Sequence, residues 1–166
     1  MSETELRIEI REERGDRRQY MKMLLTGDES EEMVSKYINR GRLYVACLDN
    51  RPVGVCLVTD EADNQVEIKN LAVDSRLRRH GIGRQLLDFV EHKNSGKTLI
   101  LGTGETPSTL RFYYGCGFRY SHRIPDFFTA NYPNPIIEEG VTLADMIYLK
   151  KEAGTTPINR RDKGKQ

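Results

Sequence analysis

Apolar residues in this chain recur in short segments, either alternating with polar residues or in brief continuous runs, which is typical of β-strands. Two of these segments flank Asp-Asn-Arg, a sequence typical of a short hairpin loop. The predicted strands cover residues 6–10, 42–48, 52–58, 66–73, 98–102, 118–124 and 142–149.

Other segments repeat their apolar residues at the spacing of an α-helix. Residues 16–40 predict two short helices with a break at 26–32, and residues 81–93 predict an amphipathic helix. A further helix is expected over 106–114, because the Thr-Pro pair at its start suits an N-cap and a first helical position.

The order of these elements predicts an α+β fold, with a mixed, mostly antiparallel sheet flanked by helices and one βαβ crossover over residues 66–102. The 166 residues have the length of about one domain, which we assign to residues 1–153. Residues 125–140 hold three of the six prolines and predict a long, shaped loop. Residues 154–166 are basic with one isolated isoleucine, so a disordered tail is expected.

The balance of charges excludes several kinds of partner. Lys and Arg (26) nearly equal Asp and Glu (25), so no nucleic-acid partner is expected. No apolar run approaches the roughly 20 residues that span a bilayer, and the N-terminus lacks a leader pattern, which favours a cytoplasmic protein with no membrane partner. Cys47, Cys56 and Cys116 lack metal-ligand spacing, so we expect no metal and three reduced, buried thiols.

The alternation within residues 66–73 changes phase. The apolar positions of this strand shift from even to odd numbers, at Val66, Ile68, Leu71 and Val73. A β-bulge near Lys69-Asn70 would reconcile the two phases and leave backbone N–H groups for an extended ligand. The alternative is a strand that is buried on both faces after Asn70.

A basic turn that contains glycine follows this strand and opens the next predicted helix. Arg78, Gly81 and Gly83 form an R-x-x-G-x-G pattern. Glycines let a phosphate approach the backbone closely, and the helix N-terminus offers N–H donors and a positive dipole end. The order of strand, turn and helix favours a site for an anionic ligand over a solvated turn.

Two segments together resemble the GCN5-related N-acetyltransferase (GNAT) superfamily: residues 68–91, IKNLAVDSRLRRHGIGRQLLDFVE, and residues 109–120, TLRFYYGCGFRY. The first is similar to the family's Q/R-x-x-G-x-G/A motif after a strand, and the second to its Tyr-x-x-x-Gly-Phe segment. The similar element order extends from residue 6 to about residue 150. The resemblance implies a GNAT-like acyl-CoA N-acyltransferase fold with a splayed central strand, and acetyl-CoA as cosubstrate.

The resemblance also implies binding roles for individual residues. Residues 78–84 match the loop that binds the pyrophosphate of acetyl-CoA, and Leu71 and Val73 match strand positions that hold its pantetheine arm. Backbone N–H groups around Leu71 and Ala72 would stabilise the oxyanion. The implied cofactor-binding residues are Leu71, Ala72, Val73, Arg78, Arg79, His80, Gly81, Ile82, Gly83, Arg84 and Thr106.

Two residues match catalytic positions of the family. Tyr113 matches the tyrosine that protonates the departing thiolate, and Glu67 matches the general base of the histone-acetylating branch. Tyr113 alternatively fits a cleft-lining aromatic residue, and Glu67 fits an exposed strand carboxylate paired with Lys69. Cys116 as an acyl-accepting nucleophile is a weaker rival, because no base is evident near it.

The function implied by the resemblance is direct transfer of an acetyl group to a primary amine of a small molecule or peptide. Acidic residues either attract this cationic acceptor or are solvated loop charges, at residues 27–32, Asp126, Glu138 and Glu139. A non-catalytic acyl-CoA-binding sensor is the alternative function. Exposed late strands allow a homodimer.

Overall fold

The alternating segments form antiparallel strands in a computed structural model that describes residues 7–154. These residues divide into two compact units between Asn94 and Ser95. In the first unit each strand pairs antiparallel with the next along the chain. These strands are β1 (Ile8–Glu13), β2 (Arg42–Leu48), β3 (Arg51–Ala62) and β4 (Gln65–Val73).

The predicted hairpin joins β2 to β3, and its turn is Asp49-Asn50. Both residues are left-handed, with φ of 50° and 64°, as a two-residue loop of type I′ requires. Asp and Asn adopt this conformation more readily than other L-residues. Strand β3 extends beyond the predicted end at residue 58, because its pairing with β4 continues to Ala62.

The helices predicted in this unit are present as α1 (Met21–Gly27), α2 (Glu31–Ser35) and α3 (Ile82–Lys93), with a 3-10 turn before α1. Helix α2 ends well before the predicted end at residue 40. The Arg17 guanidinium donates to carbonyl oxygens in the segment that follows, at 2.6–3.0 Å. A long-range side chain therefore satisfies carbonyl oxygens of the irregular segment between α2 and β2.

Buried apolar side chains join the helices to the strands. Leu24 of α1, Val34 of α2 and Leu57 of β3 are fully buried in one cluster. Helix α3 packs over β3 at Gly54, where a Cβ would lie 3.1 Å from side-chain atoms of both Ile82 and Leu86. The glycine therefore lets the first turn of α3 lie close to the strands.

In the second unit, a central strand pairs antiparallel with a strand on each side. The central strand is β9 (Met146–Lys151), and its partners are β5 (Thr98–Gly104) and β6 (Arg119–Ile124). The other elements are α4 (Pro107–Gly115), α5 (Phe127–Asn131), β7 (Ile137–Glu138) and β8 (Val141–Thr142).

The prediction of one closing strand over residues 142–149 is wrong. Strand β8 pairs with β7 in a separate hairpin, and β9 begins only at Met146. The break occurs because Leu143 packs with Phe128 and Ile136 in a small buried cluster instead of continuing the ladder. The predicted loop over 125–140 accordingly contains α5 and β7.

Two predictions concern the ends of the chain and the membrane. A disordered tail was expected over residues 154–166. Of these residues, all after Gly154 lie outside the part of the chain that the structure describes. Within residues 7–154, each helix is too short or too polar to cross a membrane.

Candidate active site

Strand β4 contains one residue more than β3 between two consecutive pairs of their ladder. Leu57 of β3 pairs with Asn70, while the next residue, Val58, pairs with Ile68, so Lys69 is the extra residue of a β-bulge. The bulge predicted from the phase change is confirmed.

The bulge decides which side chains share a face of β4. Its apolar face combines Val66, Ile68, Leu71 and Val73, the four residues whose phase had been in conflict. The opposite face carries Glu67, Asn70 and Ala72, and the last of these packs in the cluster with α1 and α2. The extra residue therefore brings Glu67 to the same face as Asn70.

The ladder also fixes the direction of the backbone groups after the bulge. The N–H of Asp74 donates to the carbonyl of Val53 at 2.8 Å. Because hydrogen-bonded pairs alternate in an antiparallel ladder, Ala72 directs its N–H and C=O to β3. Leu71 and Val73 direct theirs to the opposite edge of β4. Of the three predicted strand residues, only these two therefore direct their backbone groups away from β3.

The N-terminus of α3 is open. Gly81 is its N-cap, with φ of 79°, and a Cβ on this residue would have no atom within 4 Å. The first helical hydrogen bond runs from the N–H of Gln85 to the carbonyl of Gly81, at 3.0 Å. The N–H groups of Ile82, Gly83 and Arg84 precede it and point out of the helix end. Donors at the positive end of a helix form a binding site for an anion.

The basic residues around this helix end differ in how they are engaged. The predicted binding residues with exposed side chains are Arg78, Arg79, His80 and Arg84. Arg76 instead pairs with Asp74 at 2.9 Å, and its hydrogen bonds lower the pKa of that carboxyl to about 2. The positive potential at the helix end therefore comes mainly from residues 78–84.

Glu67 is buried, with 8% of its surface exposed, and its Oε2 lies 3.0 Å from the Lys69 ammonium. The pairing with Lys69 is one of the two alternatives expected from the sequence, but the side chain is not exposed. Lys69 is itself the bulge residue, so the same backbone irregularity that turns Glu67 to this face supplies its cation.

A buried polar network lies on the same face and was not predicted from the sequence. The Asn70 amide donates to the carbonyl of Leu24 at 2.8 Å and to the Tyr37 hydroxyl at 2.9 Å. The Tyr37 hydroxyl donates to the Asp28 carboxylate at 3.0 Å, and burial together with that charge raises the pKa of Tyr37. The only local signal was a polar residue among the apolar positions of β4.

In the second unit, Tyr113 lies in the last turn of α4 and is half-buried. Its ring meets Phe112 and Phe118 edge to face, with centroids 5.0 and 5.8 Å apart. Its carbonyl accepts hydrogen bonds from the N–H groups of Cys116 and Phe118, at 3.1 and 3.0 Å. The aromatic neighbours expected for a cleft-lining residue are present around a ring that solvent still reaches.

The start of α4 differs from expectation in its capping group. Thr106 is the N-cap and Pro107 follows it, as predicted, but the threonine side chain makes no capping hydrogen bond. Glu139 lies at this helix end, where it accepts from the Ser108 N–H at 3.4 Å. A hydrogen bond from the Ser108 side chain lowers the pKa of Glu139. A carboxylate expected to attract an acceptor is thus engaged at a helix N-terminus.

The three cysteines are free, and their burial confirms that they are interior residues, as predicted. Burial raises the pKa of the Cys56 thiol to about 12. Cys116 is 5% exposed at the C-cap of α4, so a substrate carbonyl has little access to its sulfur. Among the described residues, no cluster of His, Cys, Asp or Glu is arranged to hold a metal ion.

Comparison with known proteins identifies the family. Residues 39–120 match the family described as "Acetyltransferase (GNAT) domain". The chain is 36% identical over 153 residues to the uncharacterized N-acetyltransferase YvbK of Bacillus subtilis (strain 168). The matched region covers 90% of this chain and 97% of YvbK.

Two solved structures confirm the predicted fold class. A GNAT family acetyltransferase from Elizabethkingia anophelis, with acetyl-CoA bound, is 35% identical with a TM-score of 0.81, over 87% of this chain and 97% of that one. The IAA acetyltransferase from Bacillus cereus ATCC 14579 is 32% identical with a TM-score of 0.80, over 88% and 99%. The chain belongs to the GNAT family and is an acetyltransferase.

Proposed function

We propose that this enzyme transfers the acetyl group of acetyl-CoA to a primary amine of a small molecule or peptide. The observation that carries the proposal is the sequence of a bulged strand and an open helix end, β4 and α3, within one unit. The related acetyltransferase from Elizabethkingia anophelis holds acetyl-CoA, which supports the same donor here.

The residues around α3 fit the polar end of acetyl-CoA. The pyrophosphate is a compact dianion, and the open N–H groups of Ile82, Gly83 and Arg84 suit its oxygens. The absence of a side chain at Gly81 leaves space in front of these donors. Arg78 and Arg79 are exposed beside them and add positive potential.

The edge of β4 fits the extended pantetheine arm, which carries amide groups. Leu71 and Val73 present N–H and C=O groups away from β3, and an extended chain can pair with them as a strand would. We assign stabilisation of the developing oxyanion to their N–H groups, because those of Ala72 face β3.

Acetyl-CoA supplies an electrophilic thioester carbonyl when it is bound. The acceptor amine forms the C–N bond while the C–S bond breaks, so the amine loses a proton and the departing sulfur gains one. We assign the first proton to the Glu67 carboxylate and the second to the Tyr113 hydroxyl. Lys69 holds Glu67 in one orientation at 3.0 Å.

An amine acceptor is supported by the placement of Asp28. This residue follows α1, and its carboxylate is held by the Tyr37 hydroxyl, which in turn contacts Asn70 on the Glu67 face of β4. A fixed carboxylate attracts an ammonium group. Asp28 is therefore our candidate for acceptor recognition in the first unit.

Titration calorimetry with acetyl-CoA tests the donor site. Gly81→Glu places a negative side chain in front of the helix end, and we expect acetyl-CoA binding to weaken by at least about a hundredfold, from lost donors and charge repulsion. Gly96→Glu is the matched control, because Gly96 has a similar φ of 86° and equally open surroundings. Equal affinities of the two variants would refute the assignment of this helix end.

A further inference from the structure

Lys151 is a buried cation outside the residues assigned so far. It ends β9, pairs with Leu99 of β5, and is only 5% exposed. Its Nζ donates to the carbonyl oxygen of Cys116 at 2.9 Å. The adjacent Lys150 is different, since its side chain is 42% exposed and pairs with Glu152 at 3.0 Å. Burial of an ammonium group is costly unless hydrogen bonds compensate it, so its placement at Cys116 requires a structural explanation.

The carbonyl that Lys151 contacts belongs to the turn that ends α4. Cys116 is the C-cap of this helix, and the N–H of the same residue donates to the carbonyl of Tyr113. A cation is favourable at a helix C-terminus, where the unpaired carbonyls carry partial negative charge. Lys151 therefore fixes the turn at a residue that is hydrogen-bonded to Tyr113.

The turn is shaped to admit the lysine. Gly117 has φ of 98°, and a Cβ on it would lie 2.9 Å from Cε of Lys151 and 3.2 Å from its Nζ. The glycine of the Tyr-x-x-x-Gly-Phe segment thus provides both a left-handed backbone and the space that the lysine chain occupies. The next residue, Phe118, is 1% exposed and donates its N–H to Tyr113.

We propose that Lys151 is a positioning residue that holds the Tyr113 side chain in its reactive orientation through the turn at residues 116–118. The Tyr113 ring packs edge to face on Phe118. The Tyr113 carbonyl accepts hydrogen bonds from the N–H groups of Cys116 and Phe118, the first and last residues of the turn. A displacement of the Cys116 carbonyl therefore moves both the Phe118 ring and the hydrogen bonds that hold the Tyr113 backbone. This inference rests on the proposed function of Tyr113 as the acid.

Fluorine NMR of protein labelled with 3-fluorotyrosine tests the positioning without requiring turnover. The chain has eight tyrosines, and Tyr113→Phe assigns the resonance of interest. We expect Lys151→Met to shift or broaden that resonance, whereas Lys150→Met leaves it unchanged. If folded Lys151→Met keeps the Tyr113 resonance of the unmodified protein, the lysine does not position Tyr113 and the proposal is overturned.

Lys151→Arg covers the case in which Lys151→Met does not fold. It keeps the charge, but its planar guanidinium cannot place a single donor where the ammonium lies. We expect the folded arginine variant to shift the same resonance. An unchanged resonance in a folded Lys151→Arg protein would overturn the proposal as well.

Kinetics then connect the position of Tyr113 to chemistry. Release of free CoA from acetyl-CoA is measured with spermidine, glucosamine and lysine amide, using the fastest acceptor for the variants. We expect Lys151→Met to lower kcat by about tenfold or more with little change in KM for acetyl-CoA. The same change in a Tyr113→Phe background should have no further effect. Where Tyr113→Phe itself lowers kcat, an additive loss in that background would overturn the proposal, because Lys151 would then act independently of Tyr113.

The two assays separate failure of this inference from failure of the acid assignment. If Tyr113→Phe retains full kcat, Tyr113 is not the acid, and a shifted fluorine resonance in Lys151→Met still establishes that Lys151 positions the ring. If Tyr113→Phe loses activity but Lys151→Met leaves the Tyr113 resonance unchanged, the acid assignment stands and the positioning role is refuted.

Discussion

Gly27→Ala probes the close approach between the end of α1 and the bulged strand. A Cβ on Gly27 would lie 2.3 Å from Asn70 Oδ1 and 3.1 Å from both Asn70 Cγ and the carbonyl oxygen of Leu71. Real carbon–oxygen contacts are not shorter than about 3 Å, so the helix end or the amide must move. The amide is confined, because it is 3% exposed and makes two hydrogen bonds.

The expected loss of stability follows from these contacts. Forcing an extra methyl group into a packed site costs about 1–3 kcal/mol. Displacement of Asn70 also breaks its hydrogen bonds to Leu24 and Tyr37, each contributing about 1 kcal/mol. Alanine gains about 1 kcal/mol or less over glycine in a helix. The net destabilisation is about 2–4 kcal/mol, which lowers Tm by roughly 4–16 °C in a protein of this size.

Thermal unfolding followed by circular dichroism measures this shift. Gly115→Ala is the matched control, because Gly115 also ends a helix but a Cβ there would have no atom within 4 Å. We expect the control to keep or slightly raise Tm through its helix propensity. A Gly27→Ala protein that unfolds at or above the Tm of the Gly115→Ala protein would refute the reasoning.

Two further predictions concern acid stability and catalysis. A hydrogen bond from Tyr20, with others from the Gly15 N–H and Arg11, lowers the pKa of Glu13 to about 2, from an ordinary value of 4.5. This carboxylate therefore stabilises the fold above about pH 4.5 and loses that effect as pH falls towards 2, so the Tm difference between the unmodified protein and Glu13→Gln should narrow over that range. A difference that is constant with pH would contradict this assignment. Tyr113→Phe should lower kcat by about a hundredfold, the usual contribution of a positioned acid, with KM for acetyl-CoA nearly unchanged. Tyr114→Phe, at an exposed neighbour, is the control, and equal kcat values for the two variants would exclude Tyr113 as the acid.

Local sequence patterns predicted the elements that depend on neighbouring residues. The phase change in β4 predicted the bulge, because one extra residue in a strand shifts the alternation of apolar and polar side chains by one position. The Asp-Asn-Arg sequence predicted the hairpin between β2 and β3, and its first two residues supply the left-handed turn. Likewise, glycines before an amphipathic segment predicted the open end of α3.

Contacts between distant residues could not be predicted in this way. Asn70 bonds to Tyr37 across 33 residues, and Lys151 bonds to Cys116 across 35. Periodicity in a single sequence shows that a position faces the interior but does not identify its partner. The break before β9 was missed for the same reason, because Leu143 leaves the strand to pack with residues of the preceding loop.

The bulge at Lys69 lets β4 lose a residue without exchanging its faces. Ile68 and Asn70 pair with consecutive residues of β3 and already lie on opposite faces, so deleting Lys69 would close the bulge and keep Glu67 on the face of Asn70. The same deletion would remove the ammonium group that lies 3.0 Å from the Glu67 carboxylate. Deleting Ile68 with the bulge retained is different, because Glu67 would then take the place of Ile68 on the apolar face. The position of a deletion therefore determines whether it alters the core or only the cation of the proposed base.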